Sequence, residues 1–595
     1  MRMKIRELSV VVFALLLVLN VYSAKAQVVS HSSKTTVDTC KTVRLQFVET
    51  TDVHGSFFGL DLVQNKPSKG SLSRIYSLVD SLRTEDGNHL ILLDNGDILQ
   101  GDPSVYWSNY VDTTGTHLVA SIMNFMQYDA ASVGNHDIET GHSVYDRWAK
   151  QLNCPLLGAN VIDTKTDKPY FKPYTIIERE GVKIAILGQI TDAIPAWLPK
   201  EIWSGLRFEN MVKSTNRWIA KIKKEEKPDF IVGLFHSGLK GGIINEAYYE
   251  NASYKVANEV EGFDLIFYGH DHSPKCIDIV NKFGKHVLLA NAGAHATNVA
   301  SAVVNFQLDK SGKVISKSLS TELIDATVYP ESSCFVSRFD KDLKSAEDFV
   351  SAKVAYFNAP VDGHSVLFGS SAFVDLIHQM QLAITGADIS LSSPLSISAT
   401  IDAGPVYMRD LFNLYKYENV LYTMKLTGQE IHDELEFSYG QWVNTMKSKE
   451  DHLLLLDDKN NLKYFSFNFD SAAGIIYDVD VTKPVGKRIN IKSMANGKPF
   501  SLAATYSVAV NSYRGNGGGE LLTKGAGISP NNLDSRITNV SSHDLRYYLM
   551  KYLLKKKVIT PEPLNQWSFV PKEWVKEAAY RDSLLIFSPN VGSHQ

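Results

Sequence analysis

Through the first half of the chain, short apolar runs recur, and each ends in a polar loop carrying Asp, His or Gly. "VRLQFVETTDVHG" and "HLILLDNGDILQG" set the pattern. "DAASVGNHD", "VKIAILGQITD", "DFIVGLFHSG", "FDLIFYGHDH" and "KHVLLANAG" repeat it. Runs apolar at consecutive positions predict strands covered on both faces, the condition inside an α/β sheet. Between them, segments such as "SLSRIYSLVDSL" and "MVKSTNRWIAKIKKEE" read as helices. A charged, helix-prone stretch over residues 326–360, containing "SRFDKDLKSAEDFVSAKVAYF" and closed by Asn358 and Pro360, reads as a linker helix. It separates a first region, 27–325, from a second, 361–555, with its own helices ("AFVDLIHQMQLAI") and strands ("YSVAVNSY"). Residues 556–595 form a basic, aromatic tail with no assigned fold.

A chain of 595 residues exceeds what one hydrophobic core supports, so more than one domain is expected. Apolar residues at 44% and charged residues at 21% are ordinary for a globular protein, and a net charge of −4 offers no footprint for a nucleic-acid duplex. The opening "MRMKIRELSVVVFALLLVLNVYSAKAQ" has basic Arg2, Lys4 and Arg6, an apolar run to Leu19, and Ala24-Lys25-Ala26 as a cleavage site. That predicts a secretory signal peptide over 1–26. The run is shorter than the ~20 residues of a spanning helix, and no Cys at the cleavage point invites a lipid. The mature chain is expected to work outside the cytoplasm, in the periplasm or at the surface of a bacterium, with no transmembrane segment. Cys40, Cys154, Cys276 and Cys334 lack C-x-x-C spacing, which argues against a cysteine zinc site. Free thiols or a structural bridge both remain open.

The polar residues after the apolar runs form one set: Asp52 and His54, Asp97, Asn135 and His136, His236, then His270 and His272. Imidazole with carboxylate suits zinc, manganese or iron, whereas calcium takes oxygen donors. Asp and His two apart on an extended segment share a face. "GHDH" repeats that geometry, and Asp97 in "DNGD" is placed to bridge two ions. A lone His or Asp at a strand end is usually a cap or turn residue. Recurrence of the motif in order, each time after an apolar strand, points to metal binding instead.

"TTDVHG", "DNGDILQG", "SVGNHDIETG", "FHSG" and "YGHDH" resemble the calcineurin-like metallophosphoesterases, in particular their secreted nucleotidase branch. The resemblance covers nearly the whole mature chain. It implies an α/β fold with a four-layer α/β/β/α catalytic domain, a linker helix and a C-terminal α+β nucleotide-binding domain. Two divalent ions, zinc or manganese, are implied. Asp52, His54, Asp97 and His272 would hold one, and Asp97, Asn135, His236 and His270 the other. The nucleophile in such a site is a metal-held hydroxide attacking phosphorus in line. His136 is then most useful unligated, donating to a phosphoryl or leaving oxygen. Its tautomer needs a partner. The family commonly has an Asp three residues on, where this chain has Glu139, longer by a methylene. Asp137 is expected to point away or cap the turn, and His142 and His295 to be loop histidines outside the ligand set.

The branch holds its base between two aromatic rings, and the matching positions here are Tyr417 and Tyr513. Stacking on such rings is worth ~1–3 kcal/mol each, and glycines at 515, 517, 518 and 519 let backbone approach a ligand. With 27 tyrosines in the chain, Tyr417 rests mainly on the family match. Where 5′-nucleotidases carry a glycine-rich, Arg-containing segment, this chain reads "LSSPLSISATIDAGPVYMRD", and Gly519 stands where they have an Asp facing the ribose hydroxyls. "LYKYENVLYTMKLTG" and "NSYRGNGGGE" look closer to the 2′,3′-cyclic-nucleotide phosphodiesterase/3′-nucleotidases. The expectation is therefore a secreted two-metal hydrolase of 2′,3′-cyclic and 3′-nucleotides, releasing nucleoside and phosphate. The alternatives are a 5′-nucleotidase, a thiosulfate-ester hydrolase on the same scaffold, and a surface binding protein on a degenerate one.

Overall fold

Alternation along each apolar run decides which layer its side chains enter. The computed structural model describes residues 41–86 and 89–587, so the expected signal peptide and Cys40 lie outside the described residues. The first region contains strands β1 (Lys41–Thr50), β2 (Leu90–Asp94), β3 (Ala130–Ser132), β4 (Leu156–Leu157), β5 (Tyr174–Arg179), β6 (Val182–Ile190), β7 (Phe230–His236), β8 (Leu265–Tyr268), β9 (Lys275–Val280), β10 (His286–Asn291), β11 (Asn298–Leu308) and β12 (Val314–Asp325). They form two six-stranded sheets, ordered β12-β11-β1-β2-β3-β4 and β9-β10-β8-β7-β6-β5.

Val43, Leu45 and Phe47 of β1 and Ile91 and Leu93 of β2 meet Ile184, Val232 and Phe267 in the core between the sheets. The alternate residues Val48, Leu90 and Leu92 face outward onto helices, where Leu78, Ile122 and Trp148 cover them. On the second sheet Ala185, Leu187, Ile231 and Ile266 are likewise covered by Trp218, Ile219 and Ile222 of the helix Met211–Glu225. The layers are α/β/β/α. Strands β1, β2 and β3 pair in parallel, as do β6, β7 and β8, so within each sheet their C-terminal ends share one edge. Strand ends on a common edge are where such sheets place ligands.

The helix Ser333–Val350 starts at Ser332, whose hydroxyl accepts from Phe335 N. Its Phe335 and Phe339 pack into the outer core of the catalytic domain. The 326–360 segment is not helix throughout: it goes on into β13 (Lys353–Phe357), which pairs with the strand Gly404–Tyr407 of the second domain. Among the described residues that domain has a five-stranded sheet, two three-stranded sheets and a two-stranded one, with the helices Ala372–Thr385 and Gly428–Trp442 packed in its core. Residues 556–587 pack into the second domain rather than forming a detached tail. The strand Trp567–Val570 pairs in parallel with Ile475–Asp480, and buried Trp567 and Phe569 pack with Tyr439 and Trp442. Cys154, Cys276 and Cys334 are free thiols. Among the described residues no helix is long and apolar enough to cross a membrane.

Buried His378 sits between Ser390 Oγ at 2.8 Å and Ser471 Oγ at 3.2 Å, and burial pushes its imidazole down to about 3. Unfolded, it takes a proton near pH ~6.5 that the folded domain refuses. Its contribution to stability is therefore whole above that pH and falls as the pH drops toward the folded value. Unfolding by urea over about pH 5–7 should show the folded-to-unfolded ratio in water falling, through this histidine, by up to about tenfold for each pH unit of acidification. The dependence in His378→Gln should be shallower by about one proton; equal slopes would contradict the assignment.

Candidate active site and metal centre

The loops leaving β1, β2, β3, β7 and β8 bring the sequence-predicted donors together. Asp52, His54 and His272 place one donor atom each within 4.8 Å of one another, and Asp97, His236 and His270 form a second such group. In the first, the Nε2 atoms of His54 and His272 are 3.1 Å apart, and Asp52 Oδ1 is 3.4 Å from His272 Nε2. In the second, His236 Nε2 lies 3.0 Å from Asp97 Oδ2 and 3.0 Å from Asn135 Oδ1. Asp97 belongs to this second group, yet its charge also acts on His54 and His272.

The far ring nitrogens are held from behind: His54 Nδ1 is 3.0 Å from Gln100 Oε1, and His236 Nδ1 is 2.7 Å from the Asn95 carbonyl oxygen. A proton kept on Nδ1 leaves the Nε2 lone pair facing the cluster, as metal-binding histidines require. Imidazole nitrogens converging beside buried carboxylate oxygens fit a divalent ion with mixed nitrogen and oxygen preference.

Backbone strain collects here. Asp52 (φ 50°), His54 (49°), Asp97 (57°), His270 (74°) and His272 (52°) all adopt left-handed dihedrals. Each such residue costs of order ~1–3 kcal/mol and persists only where the surroundings over-determine it. Asp137 does much of that. Its Oδ2 accepts from Gly134 N at 2.7 Å and Asp97 N at 3.0 Å, and its Oδ1 from Ile98 N at 3.0 Å and Leu99 N at 2.9 Å. Asp137 thus points away from the cleft and caps the helix Asn135–Glu139, and beyond that it clamps the Asp97 loop. A Cβ at Gly134 would run into the Asp97 carboxylate, so only glycine admits this approach.

His136 Nδ1 lies 2.5 Å from Glu139 Oε2, so the longer acid reaches the imidazole. Burial works against charge on His136, but the Glu139 and Asp97 carboxylates outweigh it and raise the imidazole to about 9. His136 faces a cavity of about 250 Å³ between the two domains. From the catalytic domain Asn135, Glu139, Trp197, Glu250 and His270 also line it; from the second domain come Tyr417, Tyr513, Phe467, Asn419 and Asn511. Phe467 meets Tyr513 edge-on at 6.2 Å between centroids. Buried Arg514 ties their loops together, pairing with Asp470 Oδ2 at 2.8 Å and donating to the Phe467 carbonyl at 2.9 Å. A side chain at Gly519, which sits at φ 68°, would meet Asn468 Oδ1 and Arg514 Nη1 and would have to displace both.

His142 and His295 both stand outside the two donor groups, as expected. His142 opens the helix His142–Gln151 rather than lying in a loop, and pairs with Asp146 at 3.2 Å. His295 lies in a turn beside the cluster, its ring 5.4 Å from that of His54, with its backbone N–H donating to the Asp52 carbonyl. The signal was its place just after an apolar strand, in "VLLANAGAH". Phe467 could have been noticed in the alternating "YFSFNF"; Glu250 sits in a loop with no pattern to mark it.

Four layers with imidazole and carboxylate donors at the strand ends define a metallophosphoesterase, a metal-dependent hydrolase of phosphoric esters. Residues 45–274 match the calcineurin-like phosphoesterase family and residues 352–524 the 5′-nucleotidase C-terminal domain. The chain belongs to the family that joins these two domains. It is 27% identical over 596 residues to the trifunctional nucleotide phosphoesterase protein YfkN of Bacillus subtilis, covering 89% of this chain and 39% of that longer protein. It is 25% identical to the 2′,3′-cyclic-nucleotide 2′-phosphodiesterase/3′-nucleotidase of Yersinia enterocolitica, covering 88% of each chain. A crystal structure of a Staphylococcus aureus protein assigned as a 5′-nucleotidase superposes with a TM-score of 0.73 at 21% identity, over 88% of this chain and 99% of that one.

Removing the Asp137 clamp should cost ~2–4 kcal/mol, because several buried N–H groups lose their acceptor. Asp137→Ala is therefore expected to unfold at lower temperature and to retain less metal than wild type after dialysis. Unchanged metal content and melting temperature would show that the Asp97 loop holds itself.

Proposed function

We propose that the protein is a nucleotide phosphohydrolase acting on nucleoside 2′,3′-cyclic phosphates and 3′-nucleotides, and that it works outside the cytoplasm, as the leader at 1–26 suggests. The observation that carries this reading is the cleft itself. Its catalytic-domain wall presents His136, Asn135 and His270, and its second-domain wall presents Tyr417 and Tyr513. Such a cleft suits a molecule with a phosphate at one end and a flat base at the other.

Asp52, His54, Asp97 and His272 would hold one divalent ion, and Asp97, Asn135, His236 and His270 the other, with zinc or manganese the best fit to the donors. Bound ions of this kind supply Lewis acidity at the phosphoryl oxygens and acidify a water for in-line attack. No Lys or Arg lines the cleft among the described residues. The charge of the phosphate is therefore left to the ions and to His136. Glu139 holds the proton on His136 Nδ1, which directs Nε2 into the cleft to donate to a phosphoryl or leaving oxygen. Tyr417 and Tyr513 would stack the base.

The preference for 2′,3′-cyclic and 3′ substrates is supported by the turn at Gly519, which offers no acid to a ribose diol, and by the name of the Yersinia relative. A 5′-nucleotidase is the second reading, favoured by the family matched over 352–524. A binding protein on a degenerate scaffold is disfavoured, because the expected donors are all present and the two His/Asp groups converge.

Phosphate release from a panel of 2′,3′-cyclic, 3′ and 5′ nucleotides, with added zinc or manganese, tests the proposal. Release from none of them sinks it, and fastest release from 5′-nucleotides selects the second reading. In the same panel, Tyr417→Ala and Tyr513→Ala should raise KM for nucleotides about tenfold or more. An equal loss on a small aryl phosphate would make the tyrosines structural. Asp97→Ala and His136→Ala should each lower kcat by about 100-fold or more. Only Asp97→Ala should also lose metal; a His136→Ala enzyme with wild-type turnover would refute the acid role.

A further inference from the structure

Within the cleft stands one carboxylate that belongs neither to the two donor groups nor to the His136 pair, although it touches His270 of the second group. Glu250 lines the cavity together with His136, His270 and Tyr513. Its loop, which follows β7, is fastened down: Ser237 Oγ donates to the Glu250 carbonyl at 2.7 Å, and Ile243 N donates to Glu250 Oε2 at 2.5 Å. The remaining oxygen, Oε1, lies 3.1 Å from His270 Nε2. At the other side its charge reaches Tyr513. Burial holds that phenol above its usual range; Arg514 opposes the shift, and Asp470 and Glu250 add to it. Glu250 thus touches His270 of the catalytic domain and lines the same cavity as Tyr513 of the second domain, the space a nucleotide's sugar would occupy between phosphate and base.

The chemistry of a carboxylate narrows its role. It accepts hydrogen bonds and donates none, so its partner must be a donor. It repels phosphate, and no Lys or Arg lines the cleft among the described residues to offset that repulsion. His270 can hold an ion through Nδ1 while its Nε2–H donates to Oε1, and a carboxylate oxygen has a second lone pair, so Oε1 can still accept from a ligand in the cavity. From the second domain, Leu395, Tyr417, Asn419, Phe467, Asn511 and Tyr513 line the cavity, with no acid among them.

We propose that Glu250 is a substrate-binding residue whose carboxylate accepts a hydrogen bond from a free sugar hydroxyl of the nucleotide. It supplies from the catalytic domain the acid that the second domain lacks. The assignment rests on the nucleotide reading of the cleft.

Calorimetric titration of adenosine and uridine, with their 2′-, 3′- and 5′-deoxy forms, tests it on full-length wild type, Glu250→Gln and Glu250→Ala. Nucleosides carry no phosphate, so the measurement is independent of turnover. Wild type should bind the parent nucleoside about tenfold more tightly than one of the deoxy forms, the size of a charge-assisted hydrogen bond. That preference should shrink severalfold in Glu250→Gln, which keeps an acceptor for Ile243 N, and vanish in Glu250→Ala. A wild-type preference that survives in both variants overturns the assignment, as does a wild type that binds all forms alike or none. Should the nucleotide panel release no phosphate from wild type, the functional reading has failed; release there with no hydroxyl preference here means that only the Glu250 role has failed.

Discussion

The carboxylate of Asp137 is the tie on which the site depends. It is fully buried and takes the N–H groups of Gly134, Asp97, Ile98 and Leu99, so the loop after β3 and the loop after β2 become one unit. Asp52 N donates to the Gly96 carbonyl and His54 N to the Asp97 carbonyl, which locks the β1 loop onto the same unit. Left-handed dihedrals at five donor-bearing residues would relax if any of these loops were free. Held together, they keep donor atoms in the close approach that a divalent ion needs.

The second domain completes the cleft through a different set of contacts. Tyr110 of the catalytic domain donates to Glu418 Oε2 at 3.1 Å, and Tyr106 donates to Asp544 Oδ2 at 2.9 Å. Arg546 lies over the Tyr106 ring at 4.8 Å, and burial pushes the Glu418 carboxyl up to about 8. Glu418 adjoins Tyr417 in sequence, so these bonds also position the aromatic wall relative to the donors. On the other side of that wall, Arg514 and Asp470 fix Phe467 against Tyr513. Substrate geometry is thus shared between a strained loop cluster and a buried interdomain network.

Much of this was legible in advance because it repeats. The α/β/β/α layering follows from runs such as Leu90–Asp94, whose alternate residues feed two different cores. The donors followed each run at similar spacing, so Asp52, His54, Asp97, Asn135, His236, His270 and His272 could be collected without coordinates. Residues without such a rhythm stayed hidden. Glu250 acts from an irregular loop, and His295 lacks a D-x-H neighbour. The strand Trp567–Val570 looked like a tail because its partner, Ile475–Asp480, lies far back in the chain.

What the sequence determined by itself was the set of elements, their layer preference and the chemical types gathered at the strand ends. Those depend on local periodicity and on residue identity. Tertiary structure alone decided that Asp137 would clamp the Asp97 loop, that Asn468 and Arg514 would stand against Gly519, and that Glu250 would stand beside His270. Each of those outcomes is a distance between segments remote in sequence or set in an irregular loop. Such distances are fixed by the packing of whole sheets and domains, which no local pattern records.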